Sequence, residues 1–398
     1  MRESDVIIVG GGIVGLATAY QLIQRFPTTR ITVLEKEAAV GMHQSGRNSG
    51  VLHSGIYYKP GSLKAYNCRH GKQAMQQFCD QYGVDYEVCG KVIVAVQESE
   101  LSILEGIYER GQQNGVRSTM IDPDRLAELE PHAAGIKAIH VPDAGICDFR
   151  GVCRKLAEIL KSHDGQLVTA AKLTSIRQAN GQVVAVTTRG DFHGRYLVNC
   201  AGLHSDRVAR MNGQHSDSQV VPFRGEYYEL KPEVRSFCNN LIYPVPDPQF
   251  PFLGVHFTRT TDGRIECGPN AVLAFSREGY RKRDLNLRDL AEALSYRGFM
   301  RMASRHWRKG LGEMWRSVNK GAFVRALKRL MPEIRPEHLV AARSGVRAQA
   351  IARDGTIVDD FVVTTAERIV NVCNAPSPAA TSSLNIGLAV VDKLAEQF

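Results

Sequence analysis

The residues of this chain best suited to chemistry lie in two glycine-studded stretches near its start. In the first, Gly10, Gly12 and Gly15 take the G-x-G-x-x-G spacing directly after a short apolar run at 5–9. That spacing has a physical use: one glycine makes a tight turn, the next lets backbone N–H groups reach a pyrophosphate, and the third draws helix and strand together. Ile13 and Val14 then open a helix whose positive end suits phosphate. Glu35 ends a second strand-like run at 30–34, where an acid accepts from a ribose 2′-OH and repels a 2′-phosphate. With Lys36 beside it, the pattern points to an adenine dinucleotide other than NADP.

The second stretch, 43–58, carries Ser45, Asn48, Ser49, Gly50, Val51 and His53. Gly46, Gly50 and Gly55 would let the backbone run flat along a planar ring, where a Cβ would collide. His53 in such a loop is a candidate general base, against the plainer reading of a structural histidine. FAD is favoured over NAD because the dinucleotide unit that begins at residue 5 is completed only by the last fifty residues, as a long, permanently bound ligand requires. A strand at 368–373 leads through 374–383, with Ser377, Ala379, Ala380 and Thr381, into an apolar helix at 384–396. The N–H groups of that helix would face the flavin edge where negative charge gathers on reduction. Ala201 and Gly202, after a strand at 195–199, repeat the strand, small-residue turn, helix theme.

The elements that must position these groups read as an α/β chain of two domains, within the size that 398 residues allow. A Rossmann-like FAD-binding domain of glutathione-reductase type is expected over 1–85, 142–218 and 338–398. A mainly antiparallel sheet with helices, over 86–141 and 219–337, forms an inserted substrate domain. Helices are expected at 64–81, 98–114, 122–130 and 151–162, a hairpin at 86–96, strands at 166–170, 173–178 and 182–188, and a strand-rich stretch at 220–275. The nine cysteines have no metal or C-x-x-C spacing and read as reduced thiols. No apolar run approaches a membrane span. The short lead into the first strand leaves no room for a signal, so a cytoplasmic protein is expected.

Residues 277–335 hold 16 Lys and Arg against 6 Asp and Glu, and both tryptophans, Trp307 and Trp315. Met300, Ala303, Trp307, Leu311, Met314 and Val318 recur at helical spacing with arginines mostly off the stripe. Two readings stay open: a helix packed on its own domain with a solvated basic face, or a surface that docks on anionic lipid at the inner face of the cell membrane. Nucleic acid is not the expected partner, because no base-stacking pattern accompanies the charge.

The run N-S-G-V-L-H-S-G-I-Y-Y-K-P-G-S-L-K at 48–64, together with 222–228, 268–271, 345–350 and the 374–387 segment, resembles the FAD-dependent L-2-hydroxyglutarate dehydrogenases and oxidases, within the glycine oxidase and D-amino-acid oxidase superfamily. The resemblance covers essentially the whole chain. It implies oxidation of L-2-hydroxyglutarate to 2-oxoglutarate by hydride transfer from C2 to flavin N5, with electrons passed to a quinone or to oxygen. A small dicarboxylate then needs two anion sites. Arg347, in a G-x-R context similar to the carboxylate-binding arginine of D-amino-acid oxidases, is the candidate for the first. Arg224, Tyr243, His256 and Arg259 are candidates for the second, with Tyr57 and Tyr58 lining the pocket. The alternative is an amine or amino-acid oxidase of glycine or sarcosine type, which needs one carboxylate partner. A third reading is a basic binding module without redox turnover.

Overall fold

The computed structural model describes residues 3–179, 181–214, 216–247 and 253–398; residues 248–252 of the strand-rich stretch lie outside the described residues. Strand Ser4–Val9, buried almost throughout, pairs in parallel with Ile31–Leu34 on one side and Gly190–Asn199 on the other. Gln166–Val168 extends one edge and Ile369–Asn374 joins Gly190–Asn199 in parallel, so distant parts of the chain build one eight-stranded sheet. Helix Ile13–Arg25 buries Leu16, Ala19, Leu22 and Ile23, a 3.6-residue period, against this sheet and the final helix Ser383–Ala395. Those two helices approach so closely that a Cβ on Gly387 would sit 2.7 Å from the Ala17 backbone. The first and last helices of the chain thus share one core.

A second eight-stranded sheet runs Leu339–Ala341, Tyr228–Leu230, Ile265–Gly268, His256–Arg259, Leu241–Pro244, Lys91–Ala95, Lys137–Val141, Thr119–Ile121. It is antiparallel except where Leu241–Pro244 meets Lys91–Ala95. Two expectations change here. Residues 86–96 are not a hairpin: Gly90, at φ +80°, turns the chain between sheets, so Tyr86–Glu87 pairs with Gly145–Cys147 while Lys91–Ala95 pairs with Lys137–Val141. Leu339–Ala341, placed with the cofactor unit by the boundary at 338, pairs with Tyr228–Leu230 in the other sheet.

A three-stranded sheet of Val272–Leu273, Ser218–Gly225 and Gly345–Ala352 bridges the two. The bridge is pinned by Arg277, which is 2% exposed and donates to Asp206 and to the Leu203 carbonyl. The guanidinium holds the buried Asp206 carboxyl below its usual range, although burial alone would raise it.

The basic helix Arg297–Val318, kinked at His306, buries Phe299 and Met302 and, further on, Glu313 and Ser317. The apolar stripe is not packed on its own domain. Met300, Trp307, Leu311, Met314 and Val318 are exposed, as is Trp315. The buried face is chosen by two polar anchors: Glu313 accepts the Ala271 N–H (3.0 Å) and Ser317 donates to Glu226 (2.9 Å). No helix among the described residues is long and apolar enough to cross a membrane. All nine cysteines are free, and all but the half-buried Cys89 are buried.

Candidate active site

One cavity of about 1180 Å³ runs between the two large sheets. That exceeds the ~300–1,000 Å³ of ordinary small-molecule pockets, as a dinucleotide with a second ligand requires. Gly10, Gly12, Ile13, Val14, Glu35 and Lys36 line it, as do Ser45, Asn48, Ser49, Val51, His53, Ala201 and Gly202, and from late in the chain Arg347, Ser377, Ala379, Ala380 and Thr381. Gly15 and Gly50 do not line it.

The glycines explain the phosphate end. Gly10 adopts φ +113°, and a Cβ there would lie 2.4 Å from the Cys200 carbonyl oxygen; one on Gly15 would lie 2.1 Å from the Gly10 carbonyl oxygen. Neither position admits a side chain. Helix Ile13–Arg25 begins at Gly12 with no acid in its first turn, and Ser45 Oγ accepts the Ile13 N–H (2.9 Å). Glu35 accepts from the N–H groups of Gly11 and Glu37, both at 2.8 Å, leaving lone pairs of its carboxylate for a ribose hydroxyl. This cradle, closed to any Cβ and open to anions, fits the pyrophosphate and ribose of FAD. The glycines of the second stretch have a different cause from the one expected. Gly46 packs on the Gly41 carbonyl, Gly50 and Gly55 take φ +71° and +91°, and none of the three borders the cavity.

Two segments more than 300 residues apart are tied at the far end. Thr381 Oγ1 donates to the Val51 carbonyl (3.1 Å) and accepts the His53 N–H (3.2 Å). His53 Nε2 faces Ser377 Oγ at 3.5 Å, the outer limit of a hydrogen bond. Burial first, then the charges of Lys91 and Lys64, hold the His53 imidazole down at about 3, so the ring carries no charge at neutral pH. His256 is likewise held at about 3, mainly by burial. Its Nδ1–H donates to the Gly254 carbonyl (2.8 Å), which leaves a lone pair on Nε2, and its ring stacks on Tyr243 at 4.0 Å.

Strand period decides which candidates reach the cavity. Arg347 lies opposite Phe223 and Arg224 opposite Val346, so the two guanidinium groups leave their sheet on opposite faces. Arg347 lines the cavity; Arg224 instead pairs with Glu226 (3.0 Å). His256 and Arg259 are three positions apart on one strand and also diverge. Tyr243 and His256 line the cavity, whereas Arg259 binds Glu87 (3.0 Å) and the Asn239 carbonyl (2.8 Å). Tyr57 stands outside the lining, and its hydroxyl has no hydrogen-bond partner among the described residues.

Several lining residues escaped sequence reasoning. Lys64, nearly buried, pairs with Asp359 at 2.7 Å across 295 positions. Gln44 accepts the Ala348 N–H (3.0 Å), tying the glycine stretch to the strand that bears Arg347. Tyr227 and Leu253 complete this end. The Lys64 signal was present, inside the run at 48–64; the Asp359 signal was not.

An imidazole and an arginine lining one cavity can take a proton from a bound anion while a neighbouring acceptor takes a hydride. The model of the family described as FAD dependent oxidoreductase matches residues 5–393. The chain is 49% identical over 398 residues, all of both chains, to the L-2-hydroxyglutarate dehydrogenase of Indibacter alkaliphilus. It is 44% identical over 391 residues to that of Escherichia coli strain K12, covering 98% of this chain and 93% of the other. The solved L-alpha-glycerophosphate oxidase from Mycoplasma pneumoniae with FAD bound shares the fold at a TM-score of 0.82 and 22% identity, over 99% of this chain and 95% of that one. With the dinucleotide cradle and the sheet order behind it, the match along nearly the whole length places the chain in the FAD-dependent oxidoreductase family, with FAD as its cofactor.

Proposed function

We propose that the chain oxidises L-2-hydroxyglutarate to 2-oxoglutarate in the cytoplasm, with electrons passed on to a quinone or to oxygen. The observation that carries this reading is the meeting of His53, His256, Tyr243 and Arg347 at one end of the cofactor cavity, in a chain whose full-length relatives are named for that activity. FAD, when bound, supplies the acceptor for the hydride that leaves C2. His53 takes the hydroxyl proton, because its imidazole is neutral and faces the cavity. Arg347 grips the C1 carboxylate through a guanidinium fork, fixing the orientation of C2. Tyr243 and His256 border the distal carboxylate.

The test is spectroscopic. Anaerobic L-2-hydroxyglutarate bleaches the ~450 nm band of the purified yellow protein, as expected for cofactor reduction. Bleaching by glycine or sarcosine, with indifference to the hydroxy diacid, replaces this reading with the amino-acid oxidase one.

A quinone acceptor brings the protein to the membrane, and the 277–335 segment has the surface for that contact. Trp307, Leu311, Trp315 and Val318 are each 55–70% exposed, beside the exposed Arg301, Arg305 and Arg308. Apolar rings amid cations suit an anionic leaflet. Co-sedimentation with phosphatidylglycerol vesicles, weakened by Trp307→Ser with Trp315→Ser and by salt, is the expected outcome; equal recovery with and without vesicles rejects it.

A further inference from the structure

Lys91 opens a strand buried at every residue and is itself 1% exposed. Its Nζ lies 4.0 Å from the centroid of the Tyr243 ring and 5.2 Å from that of Tyr57. Sheet register explains the placement. Lys91 pairs with Leu241 and Ile93 with Tyr243, so Lys91 and Tyr243 share a face two positions apart. The titratable groups around the ammonium are His53 and Tyr57 from the glycine-rich loop, Cys68 from helix Leu63–Tyr82, Cys89, Tyr243 and His256. None is a carboxylate, and among the described residues no ion pair or hydrogen bond holds Nζ. A buried ammonium normally has an anionic partner or gives up its proton. Here the contacts are two aromatic faces, which offer a cation only part of what water would.

We propose that Lys91 is the counter-cation of this pocket, a positioning residue that acts from behind Tyr243 to select doubly charged over singly charged anions. The substrate part of the inference rests on the hydroxy-diacid reading above. Lys91 does not line the cavity, so it acts through the field it projects past Tyr243 and the stacked His256. A second carboxylate on the ligand supplies the anion that the protein itself withholds. Tyr57, whose buried hydroxyl has no partner among the described residues, lies against the same ammonium. The arrangement also has a pH signature. Burial lowers Lys91 to about 8, with the Cys68 and Cys89 thiols opposing weakly. The cation is therefore present below that value and lost above it.

The experiment titrates holoprotein with glutarate and with butyrate, neither of which can be oxidised at a hydroxyl, and follows the flavin spectrum from pH 6 to 9.5. In the wild type, glutarate binds more tightly than butyrate, and its Kd rises as pH passes about 8. Lys91→Met reduces the diacid preference by roughly 10- to 100-fold, the order of one charge–charge attraction inside a protein, and removes the alkaline limb. Lys91→Arg keeps the preference and also removes the limb, because a guanidinium stays charged. A structural role alone would not separate these two variants. A Lys91→Met protein that retains both the preference and the limb overturns the proposal while leaving the hydroxy-diacid reading intact. Should Lys91→Met fail to fold, the wild-type profile decides: a glutarate Kd flat through pH 8 overturns it. A wild type that prefers no diacid and is not reduced by L-2-hydroxyglutarate overturns both.

Discussion

The two ends of the cavity are built from different materials. The phosphate end is made of backbone: Gly10, Gly12 and the first turn of helix Ile13–Arg25 face the ligand, and all lie within a few positions of one another. The end proposed for the substrate is made of side chains, His53, Tyr243, His256 and Arg347, drawn from a loop and three strands in two sheets. A site of local backbone is fixed by local spacing. A site of strand side chains is fixed by register, and one position of slip moves a guanidinium to the other face.

The sharpest way to break this comparison is to put a side chain where the backbone end forbids one. Gly15→Val sets atoms 2.1 Å from the Gly10 carbonyl oxygen, a clash beyond the ~1–3 kcal/mol of an overpacked core. Loss of flavin on purification and a collapsed melting transition are expected; a stable yellow protein would show that the cradle yields.

At the other end, function is lost without loss of fold. His53→Ala keeps its flavin, while the rate of anaerobic reduction falls by roughly 10²–10⁴, the usual worth of a general base. Stopped-flow measurement of an unchanged limiting rate would move the base to His256.

Arg347→Met removes a charged grip on a carboxylate, at a cost of about 2–5 kcal/mol. The loss is expected mainly in the saturation constant for substrate, read from the same traces over a concentration series.

His53 and His256 together give a pH signature. Both titrate near 3 in the folded protein and near 6.5 in the unfolded chain, so the unfolded chain binds protons that the folded one refuses. Stability is therefore highest above pH 6.5 and declines as pH falls from there toward 3. A melting temperature that drops between pH 7 and 5, and drops less in His256→Leu, is the expected result. The reduction rate itself shows no acid limb near pH 6.5, since the base stays neutral.

The smallest effect sharpens the register argument. Arg259→Ala breaks a partly exposed pair with Glu87, worth less than about 1 kcal/mol, and leaves substrate saturation unchanged. Weaker substrate binding in that variant would return Arg259 to the pocket.

The dinucleotide cradle was legible because each of its requirements, a tight turn, a close approach and an acid after the second strand, is written as a residue type at a fixed distance along the chain. The loop that carries His53 and the terminal segment that meets it were legible as segments, but the loop's glycines serve its own turns and packing and do not border the cavity. The substrate end was legible only as a set of candidates. Arg347 and Arg224 were candidates for the first and the second carboxylate, and only the pairing of Ser218–Gly225 with Gly345–Ala352 sent them to opposite faces of the sheet. Lys64 with Asp359, and Lys91 beneath Tyr243, came together across the fold with no local pattern to announce them. In the basic helix, periodicity correctly found an apolar stripe, but the polar anchors Glu313 and Ser317 turned that stripe to solvent. The linear chain thus determined the cofactor and the glycine cradle expected to take its phosphates, since turns and helix ends are short-range objects. Tertiary structure alone decided which charged side chains face the cavity, because strand register and helix orientation are settled by partners dozens to hundreds of residues away.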